Sequence, residues 1–337
     1  MIGDPKPDVE RPLLSLDEIE FRSQKLRSQA ERLFGGIEVH MVNNADWLTK
    51  LNFLEFLRDI GKHFTVNSLV KKDAISARME SDDGISYTEF SYPLLQAYDF
   101  LHLNRAYGCD VQIGGSDQWG NIVAGVDLIR RKESRSAFAL TIPLIVDKGT
   151  GKKFGKSEGN AVWLDGEKTS PFQFYQFWLN TSDESVEDYL KLFTLLSDEK
   201  IVETMKEQNL HQGSRIAQRA LASAVTTLVH GPQAANDARN ISDVLFGAGD
   251  LSAVDIEELK KVAPTAPVKA GTSILDVLVS SNLASSKREA RQFLSEGAVL
   301  LNGNKVSEEH VVSEVDFQNG AALLKRGKRN VSVLVLL

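Results

Sequence analysis

Residues 110–131, DVQIGGSDQWGNIVAGVDLIRR, constrain the fold more than any other stretch of the chain. They read as a short strand, a glycine-containing loop and an amphipathic helix. FALTIPLIVD, residues 138–147, then reads as a second, buried strand. Two strands separated by a helix predict a parallel pair, because a parallel ladder needs a crossover of about a dozen residues. In such sheets ligands sit beyond the carboxyl ends of the strands. Upstream, IEVHMV at residues 37–42 alternates apolar and polar positions and predicts a further strand. Three polar clusters follow these strands, at residues 43–46, 114–121 and 152–157.

The remaining segments read mostly as helix. Residues 15–34 carry helical spacing and stop at Gly35-Gly36, residues 49–79 predict two helices, and residues 87–107 another that Gly108 closes. From residue 170 to about 262 nearly everything is helical. VAPTAPVKAGT, residues 262–272, is rich in small residues and proline and predicts a linker. Beyond it come a helix at 274–280, a second from Ser286, and AVLLNGNKV, in which Asn302-Gly303 is a strong hairpin signal. The expected division is a sheet domain at 1–165, a helical domain at 166–262, a linker at 263–271 and a small unit at 272–337.

Composition excludes several classes. A net charge of −7 argues against a generally basic nucleic-acid coat, so any RNA contact must be local. A single cysteine, Cys109, rules out an internal disulfide framework and a cysteine zinc cluster. No apolar run is long enough to span a bilayer as a helix. The first residues lack the basic and apolar regions of a signal peptide, which predicts a cytoplasmic protein.

Two constellations and one loop carry chemistry. Tyr92, Gln96 and Asp99 fall at i, i+4 and i+7, so a phenol, an amide and a carboxylate share one helix face. That stripe suits a small polar ligand, although spacing alone favours a solvent-facing polar stripe. In GGSDQWGN the glycines admit a close ligand, Asp117 can accept from sugar hydroxyls and Gln118 can donate and accept. A tight connection with Asp117 as helix cap is the other reading. KKFGKSEGN, residues 152–160, places Lys153 and Lys156 around Gly155 with Ser157 after them. It lacks the Walker A spacing. Lysines there suit a phosphate or leaving pyrophosphate, or simply a solvated basic turn.

Taken together these residues resemble one family. KFGKS is similar to the KMSKS signature of class I aminoacyl-tRNA synthetases. FSYPLLQAYDF, QIGGSDQWGN, VNNADW and KTSPFQFYQFWLNT resemble bacterial-type tyrosyl-tRNA synthetases, and the last unit resembles an RNA-binding module shared with a ribosomal small-subunit protein. The resemblance implies an α/β fold: a partial Rossmann-like parallel-sheet catalytic domain, a helical tRNA-binding domain and a small α+β RNA-binding domain. It implies tyrosine activation by ATP, with Mg2+ accompanying the nucleotide, then transfer to tRNA(Tyr) by a homodimer whose interface includes the 48–65 region and Tyr87. Tyr92, Gln96 and Asp4 would hold the tyrosine ammonium, and Asp99 the phenol hydroxyl. Asn44 and Gln112 would complete that network. Gly115 and Asp117 would meet the adenylate ribose, and Gln118 the reacting carboxyl. Lys153, Lys156 and Ser157 would form the signature loop, with Arg11 as a second pyrophosphate contact. No metal-ligating residue is implied.

The chain departs from the pattern near its start. None of the six histidines lies in an HxGH arrangement, an upstream tyrosine partner of Asp99 is absent, and DPKPDVER differs from the usual DPSGK, with Lys6 out of register. The expectation is a chain matching about the last four-fifths of such an enzyme, with exposed sheet faces and little tyrosine activation of its own. A non-catalytic RNA-binding paralogue is the alternative, and an unrelated nucleotidyl-transferring enzyme a third. Residues 272–337 carry eight Lys and Arg against seven Asp and Glu. The basic residues cluster: Lys287, Arg288 and Arg291 on one helical turn, and Lys325, Arg326, Lys328 and Arg329 in a run. Either cluster alone reads as a solvated face; together with the resemblance they point to tRNA phosphates.

Overall fold

The computed structural model describes residues 3–4, 12–80, 84–146, 148, 151, 154, 162–247, 250–327 and 330–337. They form two units, Met1–Asp147 with Lys152–Phe154, and Lys148–Gly151 with Gly155–Leu337.

In the first unit, α1 (Leu16–Phe34) begins at Ser15, whose hydroxyl accepts from the Glu18 N–H, and gives way at Gly35. Residues 37–43 are not a strand. Their alternation supplies β propensity, but a strand also needs a ladder partner, and none pairs with them among the described residues. Three short helices, rather than two, follow α2 (Ala45–Leu48): α3 (Phe53–Asp59), α4 (Val66–Leu69) and α5 (Asp73–Met79). Polar caps divide this stretch. Asn52 accepts from the N–H groups of Leu54 and Glu55, and Thr65 from that of Ser68. α6 (Tyr87–Tyr107) ends at Gly108 in the left-handed region, φ 65°. A buried ion pair, Arg78 Nη1 to Glu89 Oε2 at 3.0 Å, ties α5 to its first turn.

β1 (Val111–Gly115), α7 (Trp119–Glu133) and β2 (Phe138–Ile142) form the expected strand–helix–strand unit. The strands are parallel, in register from Val111 opposite Phe138 to Gly115 opposite Ile142. α6 packs on α7 over a core of Ala97, Phe100, Leu101, Leu128 and Ile129. The approach is close because Gly125 has no side chain; a Cβ there would lie 2.9 Å from Phe100 Cδ1. β2 is not fully buried. On the sheet face away from these helices Ile113 is 71% exposed and Phe138 60%, with Val111, Leu140 and Ile142 beside them. The large apolar strand residues thus lie on the open face, while the helix-side positions Gln112, Gly114, Ala139 and Thr141 are half-buried.

The second unit opens on a capping box: Ser170 accepts from the Gln173 N–H while the Gln173 side chain accepts from the Ser170 N–H. Six helices follow, α8 (Pro171–Leu179), α9 (Val186–Phe193), α10 (Asp198–Leu210), α11 (Ile216–His230), α12 (Pro232–Phe246) and α13 (Ile256–Val262), as the sequence predicts. The expected linker is instead β3 (Thr265–Val268), with Ala266 and Val268 buried. It pairs in parallel with the last strand, so its proline marks a sheet edge rather than a tether.

After α14 (Ile274–Ser280) and α15 (Lys287–Ser295) come β4 (Val299–Leu301), β5 (Asn304–Lys305), β6 (Ala321–Arg326) and β7 (Asn330–Leu336), giving the order β3-β7-β6-β4-β5. Asn302 and Gly303 both take positive φ, 49° and 80°, as the two-residue hairpin turn requires. Both faces of this sheet are buried. Ala322, Leu324 and Leu334 pack with α14 and α15, whereas Ala321, Leu323 and Val333 pack with Ile241, Leu245 and Leu259 of the helical segment. No helix among the described residues is long and apolar enough to cross a membrane.

Candidate active site

The candidate site lies in the first unit and consists of two hydrogen-bonded clusters. The first centres on Asp99. Asn44 Nδ2 donates to Asp99 Oδ2 at 2.9 Å, and Trp47 Nε1 donates to Asp99 Oδ1 at 2.7 Å. Asn43 orders the approach by accepting from the Ala45 N–H through its side chain. Trp47 is buried and stacks on His102, one helical turn past Asp99, with ring centroids 4.3 Å apart. Burial pushes the Asp99 carboxyl upward, and the two donated hydrogen bonds pull it back only in part. Each oxygen keeps a lone pair, so the carboxylate can accept one further donor such as a phenol. Tyr92 and Gln96 are half-buried on the same helix, so the stripe does not simply face solvent.

The second cluster gathers at the end of β1. Gln118 Nε2 donates to Asp4 Oδ2 at 3.0 Å and lies 3.3 Å from Asp117 Oδ2. Asn121 Nδ2 donates to Asp4 Oδ1 at 3.1 Å, and Lys72 Nζ donates to Asn121 Oδ1 at 2.9 Å. Burial lowers the Lys72 ammonium to about 8, with nearby Asp4 opposing the shift. Asp117 is exposed and caps no helix; the turn before α7 has no side-chain cap. Gly115 is needed for its placement, since a Cβ there would sit 2.5 Å from Asp117 Oδ1. Gln112 Oε1 is buried with no hydrogen-bond partner among the described residues, an acceptor that a bound ligand could satisfy.

The sequence residues thus separate into groups. Asn44 and Asp99 are brought together, as are Asp4, Gln118 and Asp117, while Tyr92, Gln96, Gln112 and Gly115 lie on the adjoining α6 and β1. Arg11, Lys153, Lys156 and Ser157, with Lys6, Lys328 and Arg329, lie outside the described residues. Trp47 and Asn121 fall inside the motifs that carry the resemblance, yet nothing in the sequence marks a role for either. Lys72 carries no sequence signal at all, because its partners are 48 and 49 residues away.

In the second unit the basic residues of the last segment are largely committed within the fold. Lys287 pairs with Asp276 at 2.6 Å and Arg291 with Glu308 at 2.7 Å. Lys325 Nζ donates to the Gly247 carbonyl at the end of α12, and burial lowers its pKa. The Arg326 guanidinium lies 4.7 Å from the Phe293 ring centre. Arg288 is exposed and has no ion-pair partner among the described residues.

Residues 1–247 match the family model of tRNA synthetases class I (W and Y), and residues 255–334 match that of the tyrosine–tRNA ligase SYY-like C-terminal domain. A tyrosine–tRNA ligase of Lactococcus lactis subsp. cremoris is 45% identical over 99% of this chain and 82% of its own length. One from Streptococcus suis is 44% identical over the same shares, 99% and 82%. Among solved structures, a C-terminally truncated mitochondrial tyrosyl-tRNA synthetase of Aspergillus nidulans superposes with a TM-score of 0.59 at 33% identity, over 70% of this chain and 71% of that one. The matching residues span both units, and the chain belongs to the tyrosyl-tRNA synthetases within the class I tRNA synthetases.

Proposed function

We propose that the protein is a tyrosine–tRNA ligase, joining L-tyrosine to ATP as tyrosyl-adenylate and transferring the tyrosyl group to tRNA(Tyr). The observation that carries this reading is Asp99, a half-buried carboxylate fixed by Asn44 and Trp47 yet able to accept one more hydrogen bond. A hydroxyl donor suits it, whereas a phenylalanine ring would leave it buried and short of a partner. Asp4, with Tyr92 and Gln96, takes the substrate ammonium. Gln112 and Gln118 meet the remaining polar edge. Gly115 and Asp117 take the ribose of ATP, which enters as its Mg2+ complex. Arg11, Lys153, Lys156 and Ser157 neutralise the leaving pyrophosphate. No protein nucleophile takes part; orientation and charge stabilisation carry the rate.

The protein acts in the cytoplasm as a homodimer, its interface built on Phe53, Leu54, Val66 and Tyr87, large apolar side chains left exposed in the first unit. Arg288, with Lys287, Arg291, Lys325 and Arg326, contributes to the tRNA surface, and the committed partners of the other four make Arg288 the strongest contributor.

Equilibrium binding of L-tyrosine against L-phenylalanine tests the reading. Sites built to hydrogen-bond a hydroxyl reject the analogue lacking it by about 10^4–10^5, a magnitude that belongs to a tyrosyl-tRNA synthetase in its own right and owes nothing to the present geometry. Equal binding of both amino acids, or of neither, would sink the proposal. Tyrosine-dependent ATP–pyrophosphate exchange then distinguishes a ligase from a paralogue that binds tyrosine and RNA without chemistry.

A further inference from the structure

Asn121 is the third residue of α7 and only 7% exposed, so its amide has no alternative partner in bulk water. Its nitrogen faces Asp4 Oδ1 at 3.1 Å and Gln118 Oε1 at 3.4 Å, and its oxygen faces Lys72 Nζ at 2.9 Å. An amide can be built either way round, but the neighbours allow one orientation. Lysine only donates and an ionised carboxylate only accepts. Turning the amide over would set oxygen against the Asp4 carboxylate and N–H against the ammonium, replacing two attractive contacts with two repulsive ones. Lys72 is itself anchored, since its Nζ also donates to the Gly120 carbonyl at 3.1 Å. Asp4 is therefore gripped on both oxygens, by Asn121 and by Gln118. Its carboxylate plane is fixed, and that plane sets the direction from which a cation can be met.

We propose that Asn121, with its amide oriented by Lys72, is a positioning residue that aligns Asp4 for the substrate's ammonium group. The inference rests on the tyrosine reading above and adds two residues to it. Neither touches the amino acid; both act through Asp4.

The test compares two ligands that share the phenol and differ at the amine, L-tyrosine and 3-(4-hydroxyphenyl)propionate, binding to the full chain. Asn121→Ala should weaken L-tyrosine binding about tenfold, the scale of one lost hydrogen bond to a charged group. Binding of the deaminated ligand should stay within about twofold. Lys72→Met should show the same selectivity, and Lys72→Arg, which still donates, should retain wild-type affinity. In the double variant Asn121→Ala/Lys72→Met the losses should not add, because both changes break one chain of contacts. Equal weakening of both ligands would assign the cluster a purely structural role and overturn the proposal, as would unchanged tyrosine binding. If Asn121→Ala fails to fold, the Lys72→Met and Lys72→Arg pair carries the same comparison. Failure of the unaltered chain to bind L-tyrosine overturns the functional reading together with this one. Tyrosine binding that survives unchanged in the variants overturns only this one.

Discussion

The two sheets of this protein end in different situations. β6 and β7 bury both faces, one on α14 and α15 and the other on α12 and α13. β1 and β2 only half-bury the face that meets α7, which carries Gln112, Gly114, Ala139 and Thr141, while the other keeps Ile113 and Phe138 open. The difference teaches where each region gets its stability. In the second unit the sheet is itself the core, shared by the helical segment and the last module. In the first unit the helix pair α6–α7 holds the fold, and the sheet serves to present the residues that follow β1. The candidate site accordingly depends on helix packing and on its own polar contacts more than on sheet burial.

Substitutions can break this contrast. The largest effect should come from Leu323→Ala, a buried residue of the central strand β6 on the face that packs with α12 and α13. Truncating such a leucine costs about 2–5 kcal/mol. Hydrogen exchange should report loosened helices α12 and α13 along with the sheet, since they share one core. Exchange confined to residues 272–337 would show instead that the module unfolds alone.

Gly125→Val should come next. The added carbons would press on Phe100, and overpacking of this kind costs about 1–3 kcal/mol. Protection should fall in α6 and α7, with tyrosine affinity falling alongside, while the second unit is unchanged. Unchanged affinity would separate the site from the helix pair.

Two titrations sharpen the picture of the site. Asp99 has a raised pKa, so between its unfolded value and its folded one the native state holds the proton more tightly, and stability falls as pH rises through that window. Asp99→Asn should remove this pH dependence, read as melting temperature against pH, and abolish preference for tyrosine over phenylalanine. Lys72 is lowered from 10.5 to about 8, so across that window the unfolded chain binds more protons and stability rises with pH. Lys72→Met should flatten the rise, measured as melting temperature against pH. A slope that persists would place its origin elsewhere.

The smallest effect should be at the surface. Lys287 and Asp276 are both exposed, and pairs of that kind contribute about 0–1 kcal/mol. Asp276→Asn should therefore leave stability nearly unchanged. It should strengthen tRNA binding at low salt by freeing Lys287 for phosphate, and a change in salt dependence is the readout. Arg288→Ala should weaken tRNA binding more than Lys325→Ala, whose ammonium is already held by Gly247.

Helix positions are legible wherever a cap or a glycine marks the end. Ser15, Ser170, Ser286, Gly108 and the Asn302-Gly303 hairpin all act locally, through groups a few residues apart. IEVHMV fails as a strand because pairing is a property of a partner, and its alternation describes only itself. The apparent linker fails for the opposite reason: β3 is short and proline-containing, and only β7, nearly seventy residues later, makes it a strand. Three short helices look like two in the sequence because isolated caps at Asn52 and Thr65 weigh little against a continuous apolar pattern.

The sequence by itself determined the parallel strand–helix–strand unit, the helical middle and the family, because periodicity, caps and joint motifs are local patterns that survive without coordinates. It also placed Tyr92, Gln96 and Asp99 on one stripe of α6. Tertiary structure decided which of those side chains have partners: that Trp47 completes the grip on Asp99, that Lys72 and Asn121 stand behind Asp4, and that Lys325 is turned onto the end of α12. Hydrogen bonds and burial depend on groups brought together from distant parts of the chain, so their consequences for charge and orientation appear only when the fold closes.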